Sequence, residues 1–398
     1  MYWLPATLAS HITALPGTAD RPRLLQRRSR RPRRTSACAV SLLIIGLLPG
    51  CAAPPSQPAD TATARAALET VIERQARRGF TGQVLVARGD EVLVLQGVGH
   101  RVPGEQATVT VADAMPLASI TKAFTASAVL ALVADHGLRL DRPIGHYLPE
   151  LPSPWSEVPI EHFLTHTAGL PAEIVNRAWP GHPWFEPVER GDFLAGLARF
   201  PPDHPPGAAF NYSNVGYSVL GALIEVVSGE SWEHYLAQRL LAPSGIEDIG
   251  FLQPAWPPER RVHGRKNGKD RGTYFDQPRL EDGLGWRLRA AGDLQGTAEG
   301  ILAWWLSIHR GDWLPPDLLD AWITPRVREA DRSNYGYGLH FRRSRAGNVI
   351  GHTGSDGVFT TDWSWFVDHD LLIYVASADP RRPADEVRGA LLRIALPR

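Results

Sequence analysis

Lysine is almost absent from this chain of 398 residues. Of 42 basic side chains only three are lysine, at Lys122, Lys266 and Lys269. Arginine stays protonated at any pH that a protein survives, whereas a buried lysine can lose its proton and act as a base. Lys266 and Lys269 flank an Asn-Gly turn in a charged run, a pattern typical of a solvated loop. Lys122 stands three residues after Ser119, and this lysine is therefore the candidate for chemistry that arginine cannot perform.

An excess of charge and a useful set of cysteines are also missing. The 42 basic and 42 acidic residues give a formal net charge of zero, which argues against nucleic acid or an anionic surface as partner. The two cysteines are Cys38 and Cys51. Cys38 lies in a segment that we expect to be removed, so no pair is left for a disulfide, and two cysteines cannot form a structural zinc site. We expect neither a cofactor nor a metal.

No apolar run near the N-terminus is long enough for a permanent membrane span. A basic run at residues 27–34 precedes an apolar stretch at 37–48, and its length of roughly a dozen residues falls short of the about 20 that a bilayer requires. This pattern predicts a signal peptide over residues 1–50, and the small, polar, Pro-containing segment after it predicts a flexible tether over 51–63.

Cys51 ends the apolar run in Leu48-Pro49-Gly50-Cys51. This arrangement resembles the lipobox of bacterial lipoproteins, which implies lipidation of Cys51, export to the cell envelope or periplasm, and contact with a membrane only through the N-terminal anchor. Two alternatives stay open. One is an ordinary cleaved signal with an incidental cysteine, and the other is an upstream start codon that adds residues before the true signal.

The periodicity of apolar residues predicts one fold over residues 64–398. A helix at 64–78 is followed by strands at 83–87 and 92–95, and a helix buried on all sides begins at Ser119 and ends at Gly137. Further helices are predicted at 160–166, 188–200, 213–227, 232–241, 297–309 and 384–396, and further strands at 337–342, 348–351, 360–367 and 371–377. Strands near both ends predict an α+β fold, an α/β sandwich: one antiparallel sheet formed from the N- and C-terminal segments, flanked by helices, with a large helical subdomain inserted between them.

Ser119 and Lys122 form the first motif with chemical meaning. At the start of a helix the two side chains lie on one face about one turn apart, as a nucleophile beside its activator. Free N–H groups and the helix dipole there would stabilise developing negative charge. The alternative is structural, with Ser119 as an N-cap and Lys122 as a surface cation of the first turn.

Tyr212-Ser213-Asn214 is the one Tyr-x-Asn in the chain and stands where a Pro-rich loop enters a helix. Tyr212 can share a proton with a serine or a leaving group if cations lower its pKa from about 10, and the Asn214 amide can donate to a substrate carbonyl. The alternative is a capping serine beside an aromatic plug.

His352-Thr353-Gly354-Ser355 follows a strand-like segment rich in glycine. Small residues there let a substrate lie against the backbone. The N–H of Ser355 could then join the N–H of Ser119 as an oxyanion hole.

The three motifs in this order, Ser-x-x-Lys, Tyr-x-Asn and His-Thr-Gly, resemble those of the serine β-lactamase and penicillin-binding-protein superfamily, and most closely its class C-like branch. Segments 164–171 and 335–338 are also similar to this family. The resemblance implies that Ser119 is the acylated nucleophile and that Lys122 and Tyr212 exchange its proton. It further implies that four residues of the second and third motifs bind the substrate: Asn214, Thr353, Gly354 and Ser355.

The resemblance also implies a catalytic role for His352, which occupies the place where true β-lactamases carry lysine. A histidine is mostly neutral at pH 7, so the anchoring of a substrate carboxylate should be weaker. The resemblance then favours an envelope-associated serine hydrolase acting on a small-molecule or peptide ester or amide, of carboxylesterase or D-peptide peptidase type. A class C-like β-lactamase and a non-catalytic penicillin- or peptidoglycan-binding lipoprotein are the alternatives.

Two further hypotheses concern the substrate. Arg342 or Arg343, on the strand before His352, could replace the missing cation. Trp179, Trp184 and Phe185 could wall an acyl pocket, although ordinary loop packing is the simpler reading of these aromatic residues.

Overall fold

The computed structural model describes residues 61–171 and 184–396. The predicted signal peptide, Cys51 and Trp179 lie outside these residues. The helices of the described part are α1 (Thr61–Arg77), α2 (Thr121–His136), α3 (Ile160–Leu164), α4 (Arg190–Gly196), α5 (Asn214–Ser228), α6 (Trp232–Leu236), α7 (Ala298–Arg310), α8 (Pro316–Trp322) and α9 (Ala384–Ala395). Because α1 begins at Thr61, the last residues assigned to the tether are helical.

The strands of the described part are β1 (Gly82–Arg88), β2 (Glu91–Val98), β3 (Met115–Pro116), β4 (Ile249–Gly250), β5 (Arg265–Lys266), β6 (Lys269–Asp270), β7 (Gln295–Gly296), β8 (Val327–Ala330), β9 (Ser333–Tyr335), β10 (His340–Ser344), β11 (Gly347–Ser355), β12 (Thr360–Phe366) and β13 (Leu371–Ser377). Eight of them form the main sheet in the order β2-β1-β13-β12-β11-β10-β9-β8. All its pairs are antiparallel, and β1 lies beside β13 with Gly82 opposite Ser377. The N- and C-terminal segments therefore complete one sheet, as predicted.

Both faces of this sheet are covered. On one face, buried side chains of α1 and α9 such as Leu68 and Leu391 pack against strand residues such as Val84 and Val375. The other face belongs to the larger core, where Trp304 of α7 packs against Trp363 of β12 with ring centroids 4.9 Å apart. Because side chains alternate along a strand, neighbouring residues of β11 and β12 face different layers.

Helix α2 runs through the centre of the larger core. Every residue from Thr121 to Leu132 is buried, which is what its lack of a polar face predicts. Gly137 ends the helix in the left-handed conformation with φ +64° and donates its N–H to Leu132 O. The segment Ala118–His136 is long and apolar enough to cross a membrane by length and composition, but most of it is buried inside the fold as a core helix.

Two strand boundaries near the site differ from the prediction. The strand expected at 337–342 begins at His340, because Gly338 turns the chain with φ +72°. A Cβ on Gly338 would lie 2.4 Å from Lys122 O, so glycine allows this turn to approach α2. Strand β11 also extends beyond the predicted 348–351 and ends at Ser355, because the pairing with β12 continues to Thr360.

Candidate active site

Ser119 lies in a 3₁₀ turn, Ala118–Ile120, immediately before α2. It is half-buried and does not cap the helix, whose N-cap is Ile120. Ala118 adopts φ +47°, a conformation that is uncommon for a residue with a Cβ and that must be held by its surroundings. Two hydrogen bonds of Leu117 fix the backbone just before Ala118: its N–H donates to Leu294 O at 2.8 Å, and its carbonyl accepts from Thr361 Oγ1 at 2.9 Å.

The Lys122 side chain is fully buried, with 0% exposure, so it is not a surface cation. Its Nζ lies 3.0 Å from Ser119 Oγ and 2.7 Å from Ala291 O. Burial lowers the pKa of Lys122 well below its usual value, and the charge of Asp293 opposes this shift. The amine is thus suited to accept a proton from the hydroxyl that it contacts.

Tyr212 completes the contacts of Ser119. Its hydroxyl is hydrogen-bonded to Ser119, and Lys122 Nζ lies 5.0 Å from the centroid of its ring. Burial raises the pKa of Tyr212 well above its usual value, and the bond to Ser119 opposes this only in part. The lowered pKa that a nearby cation was expected to produce is therefore absent, because Lys122 is itself driven toward the neutral state. Tyr212 is a neutral phenol.

His166 orients the Tyr212 segment, and sequence reasoning missed this role. It adopts φ +58°, its Nδ1 accepts the Ser213 N–H at 3.1 Å, and its ring lies 4.3 Å from that of Tyr212 between centroids. The accepting Nδ1 leaves the proton on Nε2. The signal available in the sequence was the segment 164–171, which contains His166.

Ser213 caps α5, because its Oγ accepts the Gly216 N–H at 3.2 Å. Asn214 is the first residue of that helix and is half-buried. The capping alternative is thus correct for Ser213, while the neighbouring Tyr212 contacts Ser119.

Gly354 brings β11 against the turn that carries Ser119. A Cβ at this position would lie 2.7 Å from Leu117 O and 2.8 Å from Ala118 Cβ. These distances are too short for any side chain, so only glycine permits the approach. Ser355, the next residue, is the last residue of β11, and its part in an oxyanion hole stays a prediction.

Thr353 belongs to the opposite face of the sheet. It pairs with Asp362, whose buried carboxylate accepts from Arg388 of α9 at 2.9 Å. Thr353, Asp362 and Arg388 line a cavity of about 400 Å³ together with Arg342. Thr353 therefore faces away from the ring of His352, into a cavity beside α9 that Gly354 and Ser355 also line.

His352 has no ring nitrogen left for a substrate. It is 3% exposed, its Nδ1 donates to Thr353 O at 2.7 Å, and its Nε2 lies 3.1 Å from the Tyr335 hydroxyl, which donates to it. Burial lowers the pKa of His352 well below its usual value. The structure thus holds a neutral, internally bonded imidazole where a catalytic residue was expected.

Behind His352 lies a second imidazole with a carboxylate. The His340 ring is 4.5 Å from the His352 ring between centroids, and His340 Nδ1 lies 2.8 Å from Glu329 Oε2. Ser333 Oγ donates to the same oxygen at 2.6 Å. This pair fixes His340, and through ring packing it fixes His352.

The substrate hypotheses receive different answers. Arg342 lines the cavity described above, whereas Arg343 does not. Trp184 is 38% exposed, and Phe185 packs edge-on against Tyr274 with centroids 4.8 Å apart, as ordinary loop packing requires.

Among residues 61–171 and 184–396, no three His, Cys, Asp or Glu side chains gather in a way that could hold a metal ion.

Comparison with known proteins defines the class. The sequence model of the beta-lactamase family matches residues 64–396, and the chain belongs to this family. Penicillin-binding protein 4* of Bacillus subtilis (strain 168) is 25% identical over 331 residues, which cover 78% of this chain and 71% of that protein. Esterase EstB of Burkholderia gladioli is 32% identical over 242 residues, 56% of this chain and 59% of that protein, so the chain spans less than two thirds of the esterase.

Among solved structures, the octameric penicillin-binding protein homologue from Pyrococcus abyssi superimposes with a TM-score of 0.69 at 25% identity, covering 83% of this chain and 76% of that one. The predicted family, the α+β fold and a serine hydrolase of this superfamily are confirmed.

Proposed function

We propose that the chain hydrolyses an uncharged ester or amide, of carboxylesterase or D-peptide peptidase type, through an acyl-enzyme on Ser119. The observation that carries this proposal is the fully buried Lys122 amine, 3.0 Å from Ser119 Oγ and held there by Ala291 O. Burial lowers the pKa of Lys122 well below its usual value, which favours the neutral amine that can accept a proton.

In the proposed reaction Lys122 takes the proton of Ser119 Oγ while that oxygen attacks the carbonyl carbon of the substrate. The tetrahedral oxyanion is stabilised by the backbone N–H groups of Ser119 and Ser355, and Asn214 orients the substrate. When the leaving group departs, the Tyr212 phenol donates a proton to it and is resupplied by Lys122. Two groups whose pKa values are displaced in opposite directions thus divide the base and acid roles.

Water then attacks the acyl-enzyme and releases the acid and free Ser119. The turn Ala118–Ile120 keeps the hydroxyl accessible, because the residue itself is half-buried while its neighbours are buried.

The environment of His352 supports an uncharged substrate. Its ring is neutral and both nitrogens are bonded to the protein, so it offers no cation to a carboxylate. A cation for a substrate carboxylate would instead come from Arg342, which lines the cavity beside α9.

The cellular setting is part of the proposal. The signal peptide over 1–50, the tether and lipidation of Cys51 would place the enzyme at the cell envelope or in the periplasm. Intact mass of the membrane-extracted protein tests the lipid: a diacylglyceryl-modified N-terminal Cys51 supports the anchor, whereas an unmodified N-terminus overturns it.

Purified protein and its Ser119→Ala variant should be treated with a fluorophosphonate and assayed on p-nitrophenyl esters, D-alanyl peptides and nitrocefin. We expect labelling and ester or peptide turnover that both disappear in the variant. Labelling that persists in Ser119→Ala would refute the nucleophile. Nitrocefin turnover as fast as ester turnover would favour a β-lactamase, and binding of penicillin without any turnover would favour a binding protein.

A further inference from the structure

Lys122 is held from behind by the loop between α6 and α7, at residues 289–295. Ala291 O accepts from Lys122 Nζ at 2.7 Å, and the preceding carbonyl, Ala290 O, accepts from Thr125 Oγ1 at 2.6 Å. Thr121 Oγ1 accepts the Leu294 N–H at 3.3 Å. Three side chains on one face of α2 therefore fix the path of this loop.

This path requires an unusual backbone at Ala290, which adopts φ +62°. The conformation is unfavourable for alanine and persists only when the surroundings determine it. Room is provided by Gly221 of α5, because a Cβ there would lie 2.6 Å from Ala290 Cβ.

The group that determines it is Asp293. Its Oδ1 accepts the Ala290 N–H at 3.0 Å, and its Oδ2 accepts from Trp232 Nε1 at 3.2 Å. The side chain is 3% exposed. A buried carboxylate that closes a turn onto a catalytic amine can act through both its geometry and its charge.

Several titratable groups around Asp293 interact with its charge. The negative charge of Asp293 raises the pKa of Lys122 of α2 and of Tyr274. Arg289 of the same loop lowers the pKa of Asp293, and Glu233 of α6 raises it. Burial raises the pKa of Asp293 to about 7, so the carboxylate changes charge near neutral pH.

We propose that Asp293 is a positioning residue for Lys122: it closes the turn that presents the Ala291 carbonyl to Nζ, and its charge sets how readily the amine gives up its proton. The inference rests on the proposed function for its catalytic consequence. The coupling itself exists whether or not the substrate is an ester.

The scarcity of lysine makes the coupling directly measurable. Protein labelled with ¹³C at lysine Cε should give one signal for each of Lys122, Lys266 and Lys269, and Lys122→Arg assigns the first by its disappearance. Lys266 and Lys269 are exposed and serve as internal references. We expect the titration midpoint of Lys122 to fall by about one pH unit in Asp293→Asn, because an opposite charge is removed.

Asp113→Asn is the matched control. Asp113 is 1% exposed, and its carboxylate accepts the N–H of Thr110, three residues earlier, at 2.7 Å and a bond from Arg101 at 3.1 Å. Asp113 thus matches Asp293 in its burial and in accepting an N–H from three residues earlier, and its charge is not among those that shift the pKa of Lys122. An unchanged Lys122 midpoint in Asp293→Asn, or an equal change in Asp113→Asn, overturns the proposal.

Two further measurements keep the test decisive. If Asp293→Asn does not fold, the wild-type Lys122 signal should still show a second inflection as Asp293 gains its proton, since coupled groups titrate in two steps; a single step overturns the proposal. In the active enzyme, the acid limb of kcat/KM should move to lower pH together with the Lys122 midpoint. Absence of turnover on every substrate would count against the proposed function alone, because the nuclear magnetic resonance titration needs no substrate.

Discussion

Replacing Gly354 by alanine tests whether close contact between β11 and the Ser119 turn is required. The new methyl would lie 2.5 Å from Thr361 Oγ1, 2.7 Å from Leu117 O and 2.8 Å from Ala118 Cβ. Unbonded heavy atoms prefer about 3.5–4.0 Å, so the strand and the turn must separate by roughly 1 Å. The φ of Gly354 is not in the left-handed region, and the effect is therefore one of space.

The magnitude follows from this displacement. Overpacking of a close contact costs about 1–3 kcal/mol of unfolding free energy, and a misplacement of about 1 Å at a reacting centre lowers the rate about 10²-fold. We expect Gly354→Ala to lose about 10²-fold in kcat/KM for ester hydrolysis and in the rate of fluorophosphonate labelling, with a modest decrease in stability toward guanidinium.

Gly191→Ala is the control for the same chemical change. Gly191 lies in α4, and nothing stands within 4 Å of an added Cβ, so activity should stay within about twofold and stability should rise by up to about 1 kcal/mol. Wild-type kcat/KM and stability in Gly354→Ala would refute the packing argument. Equal losses in both variants would show that the assay reports a general effect of the substitution.

Three further predictions concern charged side chains. Lys122→Arg should lower ester turnover by about 10³-fold, because arginine cannot act as a base; Lys266→Arg should have no effect, and turnover within tenfold of wild type in Lys122→Arg would contradict the role. Asp293 holds a proton in the folded state up to a pKa of about 7, whereas an unfolded Asp loses it near 3.9. The folded state binds more protons between these values, so stability should fall by up to about 1.4 kcal/mol per pH unit as pH rises through that window, and urea titrations at several pH values should show a flatter profile in Asp293→Asn. Arg342→Ala should reduce kcat/KM for an anionic ester more than for its neutral analogue, whereas Arg343→Ala should reduce neither selectively; equal effects on both esters in Arg342→Ala would exclude the anchoring role.

The elements of the fold could be predicted because their signals are local. The all-apolar surface of α2, the continuous apolar run of β13 and the capping by Ser213 depend on residues within a few positions of each other. Strand boundaries were predicted less accurately where a distant contact decides them. The strand expected from residue 337 begins only at His340, because Gly338 turns the chain where it meets Lys122 of α2.

The sequence by itself determined the chemistry that residue type allows: a serine one turn from a rare lysine, a single Tyr-x-Asn, and a histidine in His-Thr-Gly. Only the tertiary structure decided the state of those groups. Burial makes Lys122 a base and keeps Tyr212 a neutral phenol, and the Tyr335 hydroxyl occupies the nitrogen of His352 that a substrate would need. Solvation and charge act through space, so Asp293, 171 positions after Lys122 in the chain, affects its proton while no local pattern links the two residues.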